Sequence, residues 1–289
     1  MNDMIKKLLQ IDQEILVEQI KHEEDENYYN VWKVIIDKKI YIFKKSSKIE
    51  ESIYKLYLGK LEKGAPKLYK TITHNNEIYL LMEYFEGENI CKASKDKLKV
   101  VLDNLIFEQN QFWNNVALDN PNYSYEYTIL RRIDRGTYLK DSLIKKHYDK
   151  FLEYYKKLPR TLCHDDLLPF NVLVNNNNAC IIDWEVGGIL PYPVSIARLI
   201  AHGKDNENYL FYMTDSYKQF ALNYYYDNFI KYKDISYEDY IDAINYFLLF
   251  EYCEWIMLKE KYQEEHEIHK EYYLKAINHI KNIENRKIK

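Results

Sequence analysis

In the N-terminal part of the chain, apolar residues mostly alternate with polar ones, the period of half-buried strands, with helical stretches at the start and midway. Residues 4–9 read as a short amphipathic helix, and strand-like runs follow at 15–20, 28–36 and 39–44, with Asp37-Lys38 as a tight turn between the second and third. In the third run Ile40, Ile42 and Lys44 share one face and Tyr41 and Phe43 the other, because side chains alternate along a strand. Lys44 therefore ends an apolar face and can enter a pocket. Ser46-Ser47 offers an N-cap, and Ile49, Ile53, Leu56 and Leu61 recur at helical spacing, which predicts a helix over 47–61 that carries Glu50 and Glu51. Two more strands, 67–73 and 78–84, are joined by His74-Asn75-Asn76-Glu77.

At Met82-Glu83-Tyr84-Phe85-Glu86-Gly87 an apolar strand runs out into polar residues and a glycine, the pattern of a hinge. Beyond it the period becomes helical over 98–116, 138–155, 206–231, 237–259 and 264–283. The stretch 119–135 has no clear period and receives no element. The expected organisation is α+β: a sheet-rich lobe over 1–84 with one inserted helix, a hinge at about 83–88, and a larger, mainly helical lobe over 85–289.

Composition leaves this picture intact and removes some functions. With 47% hydrophobic and 30% charged residues the chain has the make-up of a soluble globular protein. A net charge of -4 gives no basic face for phosphate backbones, so nucleic acid is not expected as a partner. No apolar run approaches the ~18 residues of a membrane span, and the first residues lack a signal-peptide core, so no membrane partner and a cytoplasmic location are expected. The four cysteines have no metal-ligand spacing and read as buried, reduced thiols. Thirty tyrosines accompany many Lys, Asn and Ile, a bias that AT-rich codons produce, so single tyrosines carry no functional weight.

The chemistry concentrates in residues 162–185. A polar loop carries His164, Asp166 and Asn171; two short apolar runs flank Asn175 to Asn178, which reads as a hairpin turn; Asp183 leaves the second run. One potential base and two oxygen ligands are thereby brought to one point, as phosphoryl transfer requires. His164-Asp165-Asp166, Asn171 and Ile182-Asp183 resemble the catalytic pattern of the aminoglycoside phosphotransferase and choline kinase family, which has the bilobal protein-kinase-like fold. Tyr41-Ile42-Phe43-Lys44 is similar to that family's strand with the phosphate-anchoring lysine, and residues 51–58 to its helix with the paired glutamate. Glu83-Tyr84-Phe85 looks like the base-binding hinge, and residues 196–200 like the helix after the metal aspartate.

The resemblance implies a kinase using ATP or GTP with Mg2+ to phosphorylate a hydroxyl of a small molecule. Asp166 would orient or accept the hydroxyl proton, with His164 bonding the loop; Asn171 and Asp183 would hold the metal; Lys44 would contact the inner phosphates. Glu51 is expected to pair with Lys44, with Glu50 as the adjacent alternative and Lys45 as the alternative lysine. Met82, Glu83 and Phe85 would lie against the nucleotide base. Asp165 stands where the family often has glycine and reads as a solvated loop residue. Two departures stand out: the turn over 22–30, with Glu23, Glu24, Asp25 and Glu26, has no glycine to bring backbone amides near phosphate, and Ser195 replaces an aspartate.

For the acceptor, Asp183-Trp184-Glu185 resembles the choline-kinase-like branch. Glu251 and Glu254 are the only charges in an apolar helical window, with Tyr252 and Trp255 beside them. Carboxylates and aromatic faces would suit a cationic acceptor such as an aminoglycoside or an amino alcohol; the alternative is a core helix with acids at its solvent edge. A second function, favoured by the glycine-free turn, is a non-catalytic kinase-fold binding or structural protein, as in a spore coat. Oligomeric state has no sequence signal.

Overall fold

The computed structural model describes residues 2–21, 27–263 and 265–287. The glycine-free turn, with Glu23 to Glu26, falls largely outside them. Helix α1 (Asn2–Leu9) precedes strands β1 (Leu16–Lys21), β2 (Tyr28–Ile36) and β3 (Lys39–Ser46), then helix α2 (Lys48–Leu56), β4 (Leu68–His74) and β5 (Glu77–Glu83). The five strands form one antiparallel sheet in the order β1-β2-β3-β5-β4. Its two-residue hairpins are set by left-handed pairs, Asp37 and Lys38 at φ 49° and 66° and Asn75 and Asn76 at 50° and 63°, the twist-matched turn of antiparallel strands.

The strand alternation divides this sheet between two cores. Phe43 and Tyr79 stack at 5.2 Å on the face that buries Ile5 and Leu9 of α1 together with Trp32 and Val34. On the other face Ile42, Leu80 and Met82 pack with Ile53 and Tyr54 of α2 into the main core. Lys44 therefore faces α2. The helix expected to run to residue 61 stops at Leu56, and a short 3-10 turn, Leu58–Lys60, replaces its last part.

Past the hinge, β6 (Glu88–Asn89) leads into α3 (Lys95–Gln111), α4 (Tyr125–Gly136) and α5 (Ser142–Lys157). The strands β7 (Arg160–His164), β8 (Val172–Asn175), β9 (Asn178–Ile181) and β10 (Gly187–Pro191) follow, then α6 (Pro193–Ala201), α7 (Asp215–Asn228), α8 (Tyr237–Tyr262) and α9 (Glu267–Lys287). β8 pairs with β6 and β9, and β7 with β10, so the loop between β7 and β8 is held by strands on both sides. The main core runs continuously from α2 into this helical lobe.

Three departures from the periodicity have local causes. Helix α3 ends at Gln111, and Asn114 turns left-handed at φ 54°. Helix α7 begins only at Asp215, where Thr214 caps it by accepting from Tyr217 N at 3.1 Å; residues 206–213 are used instead for bridges between Tyr212 and both Lys92 and Lys204. Helix α4 lies in the stretch that had no period, because its buried face is Thr128, Ile129, Arg132 and Gly136 while Tyr127 and Leu130 are exposed. Among the described residues no helix is long and apolar enough to cross a membrane.

Candidate active site

Lys44 sits at the centre of the cleft between the sheet and the helical lobe. It is only 8% exposed, and its Nζ donates to Glu50 Oε1 at 3.0 Å and to Asp183 Oδ1 at 2.5 Å. Burial by itself would lower the pKa of the ammonium, but the charges of Glu50 and Asp183 outweigh it and hold the pKa above its ordinary value. Lys45, the alternative lysine, pairs with Glu77 at 2.5 Å, away from this centre.

Glu50, not Glu51, faces Lys44. Ser47 caps α2, its Oγ accepting from Glu50 N at 3.2 Å. That start places Glu50 on the stripe with Ile53 and Tyr54 that turns to the core. Glu51 lies about 100° further around the helix and pairs with Lys55 at 2.5 Å. Glu50 is fully buried, and its second oxygen accepts from Ser46 Oγ at 2.7 Å. The pairing expected for Glu51 thus falls to its neighbour through helix phase.

The loop between β7 and β8 is built around His164. Its N–H donates to Ser195 Oγ at 2.9 Å, and Ser195 Oγ donates to His164 O at 3.3 Å. The serine from α6 therefore anchors the loop in place of the aspartate. Within the ring, Nδ1 accepts from Asp166 N at 3.1 Å and Nε2 lies 3.0 Å from Ile182 O, which fixes the proton on Nε2. Complete burial lowers the His164 pKa, keeping the ring neutral. His164 is a positioning residue that ties Asp166 to the strand exit before Asp183.

Asn171 Nδ2 donates to Asp166 O at 3.0 Å, and Asn171 O accepts from Ile182 N at 2.9 Å. Asp183 turns the chain at φ 62°, a left-handed position that aspartate tolerates better than most residues, and that turn brings its carboxylate to Lys44. Carboxylate oxygens of Glu50, Asp183 and Glu185 lie within 4.8 Å of one another, with Glu185 at 3.8 Å from Lys44 Nζ. Burial raises the Glu185 pKa, against the opposing charge of Lys44. Lys44 Nζ sits among these three carboxylates, and only Asp183 and Glu185 are half open to solvent, which leaves Asp183 able to offer a hard oxygen donor to a divalent ion while Glu50 stays on Lys44. Glu185, expected on the acceptor side, lies in this group around Lys44.

Asp166 has one carboxylate oxygen clamped by Arg198, through Nε at 3.0 Å and Nη2 at 2.6 Å. Arg198 Nη1 in turn donates to Glu251 at 2.7 Å and Glu254 at 2.8 Å. Glu254 also pairs with Arg135. Burial alone would raise the Glu251 carboxyl pKa, but Arg198 overrides it and the pKa lies below its ordinary value. These two glutamates, expected to receive a cationic acceptor, are therefore already neutralised by arginines. Trp255 turns away to stack on Tyr272, centroids 5.7 Å apart. The Asp165 side chain is only 10% exposed, bound by Arg132 at 2.5 Å and by the Tyr123 hydroxyl, and is not a solvated residue. At the hinge, Met82 is buried in the main core, Glu83 is exposed, its N–H bonded to Lys67 O at 2.8 Å, and Phe85 packs against Gly87.

Arg198, Arg132 and Tyr123 complete the site without belonging to a motif in the sequence. Arg198 did leave a signal, as the lone charge in the apolar segment Val194-Ser195-Ile196-Ala197-Arg198-Leu199-Ile200. The other two lie in the stretch without periodicity.

Comparison with known proteins agrees with the bilobal fold. A model described as phosphotransferase enzyme family matches residues 65–202. Among solved structures, an amicoumacin kinase in complex with AMP-PNP and Ca2+ is 14% identical over 93% of this chain and 88% of its own, with TM-score 0.62. A choline kinase from Cryptosporidium parvum is 16% identical over 99% and 95%, with TM-score 0.59. An ethanolamine kinase from Plasmodium vivax is 14% identical over 96% and 85%, with TM-score 0.58. No curated protein sequence matches the chain.

Proposed function

We infer that this chain, a phosphotransferase on the protein-kinase-like fold, is a small-molecule kinase that uses ATP or GTP with Mg2+ to phosphorylate a hydroxyl. Residues 1–84 form the nucleotide lobe in this reading, and 85–289 the catalytic and acceptor lobe. The observation that carries it is the pair of contacts from Lys44 to Glu50 and to Asp183, which join sheet, α2 and the β9 exit at one point, with Asp166 on the loop that Asn171 and His164 fasten to that exit.

Each residue then has a physical task. Phosphoryl transfer asks the protein mainly for alignment and charge stabilisation. Lys44, oriented by Glu50, takes the inner phosphates, and the hinge at Glu83 to Phe85 receives the base with Met82 beneath it. Asn171 Oδ1 and Asp183 would hold the magnesium ion, which when bound neutralises charge on the phosphate oxygens. The free oxygen of Asp166 accepts the acceptor's proton, while Arg198 fixes the other. The cationic acceptor suggested by Glu251 and Glu254 loses its footing, since both are paired with arginine.

Thermal shift with ATP or GTP, with and without Mg2+, tests the nucleotide half; a ligand at 100 times its dissociation constant stabilises by about 2.7 kcal/mol. Phosphate transfer to a panel of hydroxyl compounds tests the rest. No shift with either nucleotide would favour the non-catalytic binding protein, and equal transfer by wild type and Asp166→Asn would remove Asp166 from its role.

A further inference from the structure

The cavity beside Asp166, about 220 Å³, carries more positive than negative groups. Arg131, Arg132, Arg135 and Arg198 line it against Asp165, Asp166 and Glu254. Each of these carboxylates is already paired: Asp165 with Arg132, Asp166 with Arg198, and Glu254 with both Arg135 and Arg198. Arg131 has no hydrogen bond or ion pair with a described residue. Arg132 is 4% exposed, and its buried Nε has no hydrogen-bond partner. That atom is sealed from the cavity, so the accessible unpaired cation is Arg131.

A cationic acceptor would meet the surplus guanidinium charge with only one open carboxylate oxygen, that of Asp166. An oxyanion would meet the unpaired guanidinium of Arg131, and planar guanidinium donors suit carboxylate and phosphate oxygens alike. The volume also lies below the roughly 300–1,000 Å³ of sites for drug-sized ligands, which favours a small acceptor. Resting on the phosphotransfer reading above, we propose that the acceptor is a small molecule carrying a carboxylate or phosphate beside the hydroxyl that is phosphorylated, with Arg131 receiving the oxyanion while the hydroxyl reaches Asp166.

The test is calorimetric titration of the full chain with four three-carbon probes that share hydroxyls and differ in one end group: glycerate, glycerol phosphate, glycerol and aminopropanediol. At least one anionic probe is expected to bind about tenfold or more tighter than the neutral and cationic ones. Arg131→Gln should abolish that preference and Arg131→Lys retain part of it, with nucleotide affinity measured in each variant as the control for folding. The glycerate and glycerol phosphate arms separate carboxylate from phosphate recognition. Equal or tighter binding of glycerol or aminopropanediol, no binding of any probe, or unchanged anion affinity in Arg131→Gln overturns the inference. Phosphate transfer is followed in the same panel. Arg131-dependent anion binding without transfer to any probe would count against the phosphotransfer reading and leave the anion site standing, whereas transfer to a neutral or cationic probe without anion preference would do the reverse.

Discussion

Lys44 Nζ and Glu50 Oε1 are 3.0 Å apart in the interior of the cleft, and the adjacent Glu51 pairs with Lys55 on the outer side of the same helix. Neighbouring glutamates thus have unequal value. Glu50→Gln should lower kcat/KM for the nucleotide about 100-fold or more, in the range of lost electrostatic positioning at such sites. Glu51→Gln should stay within about twofold, because an exposed helix pair contributes only ~0.3–0.5 kcal/mol. Steady-state kinetics of both variants decides it, and the reverse ranking would overturn the assignment.

Asp166 is held by Arg198 at one oxygen and by the loop through its backbone. Asp166→Asn should reduce phosphate transfer by about 10² to 10⁴-fold, the usual contribution of a positioned base. Nucleotide-induced stabilisation should persist, since this carboxylate contacts the acceptor side. Loss of both together would point to a collapsed loop.

Ser195 is fully buried and exchanges two hydrogen bonds with the His164 backbone. Ser195→Ala leaves the buried His164 N–H without its acceptor, a cost of about 1–3 kcal/mol. Denaturant unfolding should report that loss, and Ser195→Thr should recover part of it if the site admits the methyl group.

Glu108 gives a pH signature. It is 1% exposed, with Asn104 donating to Oε1 at 3.0 Å and Oε2 unpartnered. Gly64, left-handed at φ 106°, packs against it closely enough that an added Cβ would lie 2.5 Å from Oε1. Burial raises its pKa from 4.5 to about 8. The folded state therefore keeps a proton that the unfolded chain releases, so this group's contribution to stability is lost as pH rises from about 4.5 to about 8. Glu108→Gln should come close to wild type near pH 4 and melt higher near pH 8.5, conditions on either side of that window. Melting curves with the same difference at both pH values would contradict this account.

Alternation, turn chemistry and local loop spacing are written in neighbouring residues, so the strands of the N-terminal sheet, its two tight turns, the helical lobe and the order Lys44, Asp166, Asn171, Asp183 are legible along the chain. Tertiary structure decided which of two adjacent glutamates faces the lysine, since the Ser47 cap sets the phase of α2. It also decided the character of the acceptor cavity. Glu251 and Glu254 look free along the chain, but α6 brings Arg198 to both of them, 53 and 56 residues away. Likewise α4, whose buried polar face hides its period, brings Arg132 to Asp165. Charge in a cavity is a sum over elements distant in sequence, so a single helix could not reveal its sign.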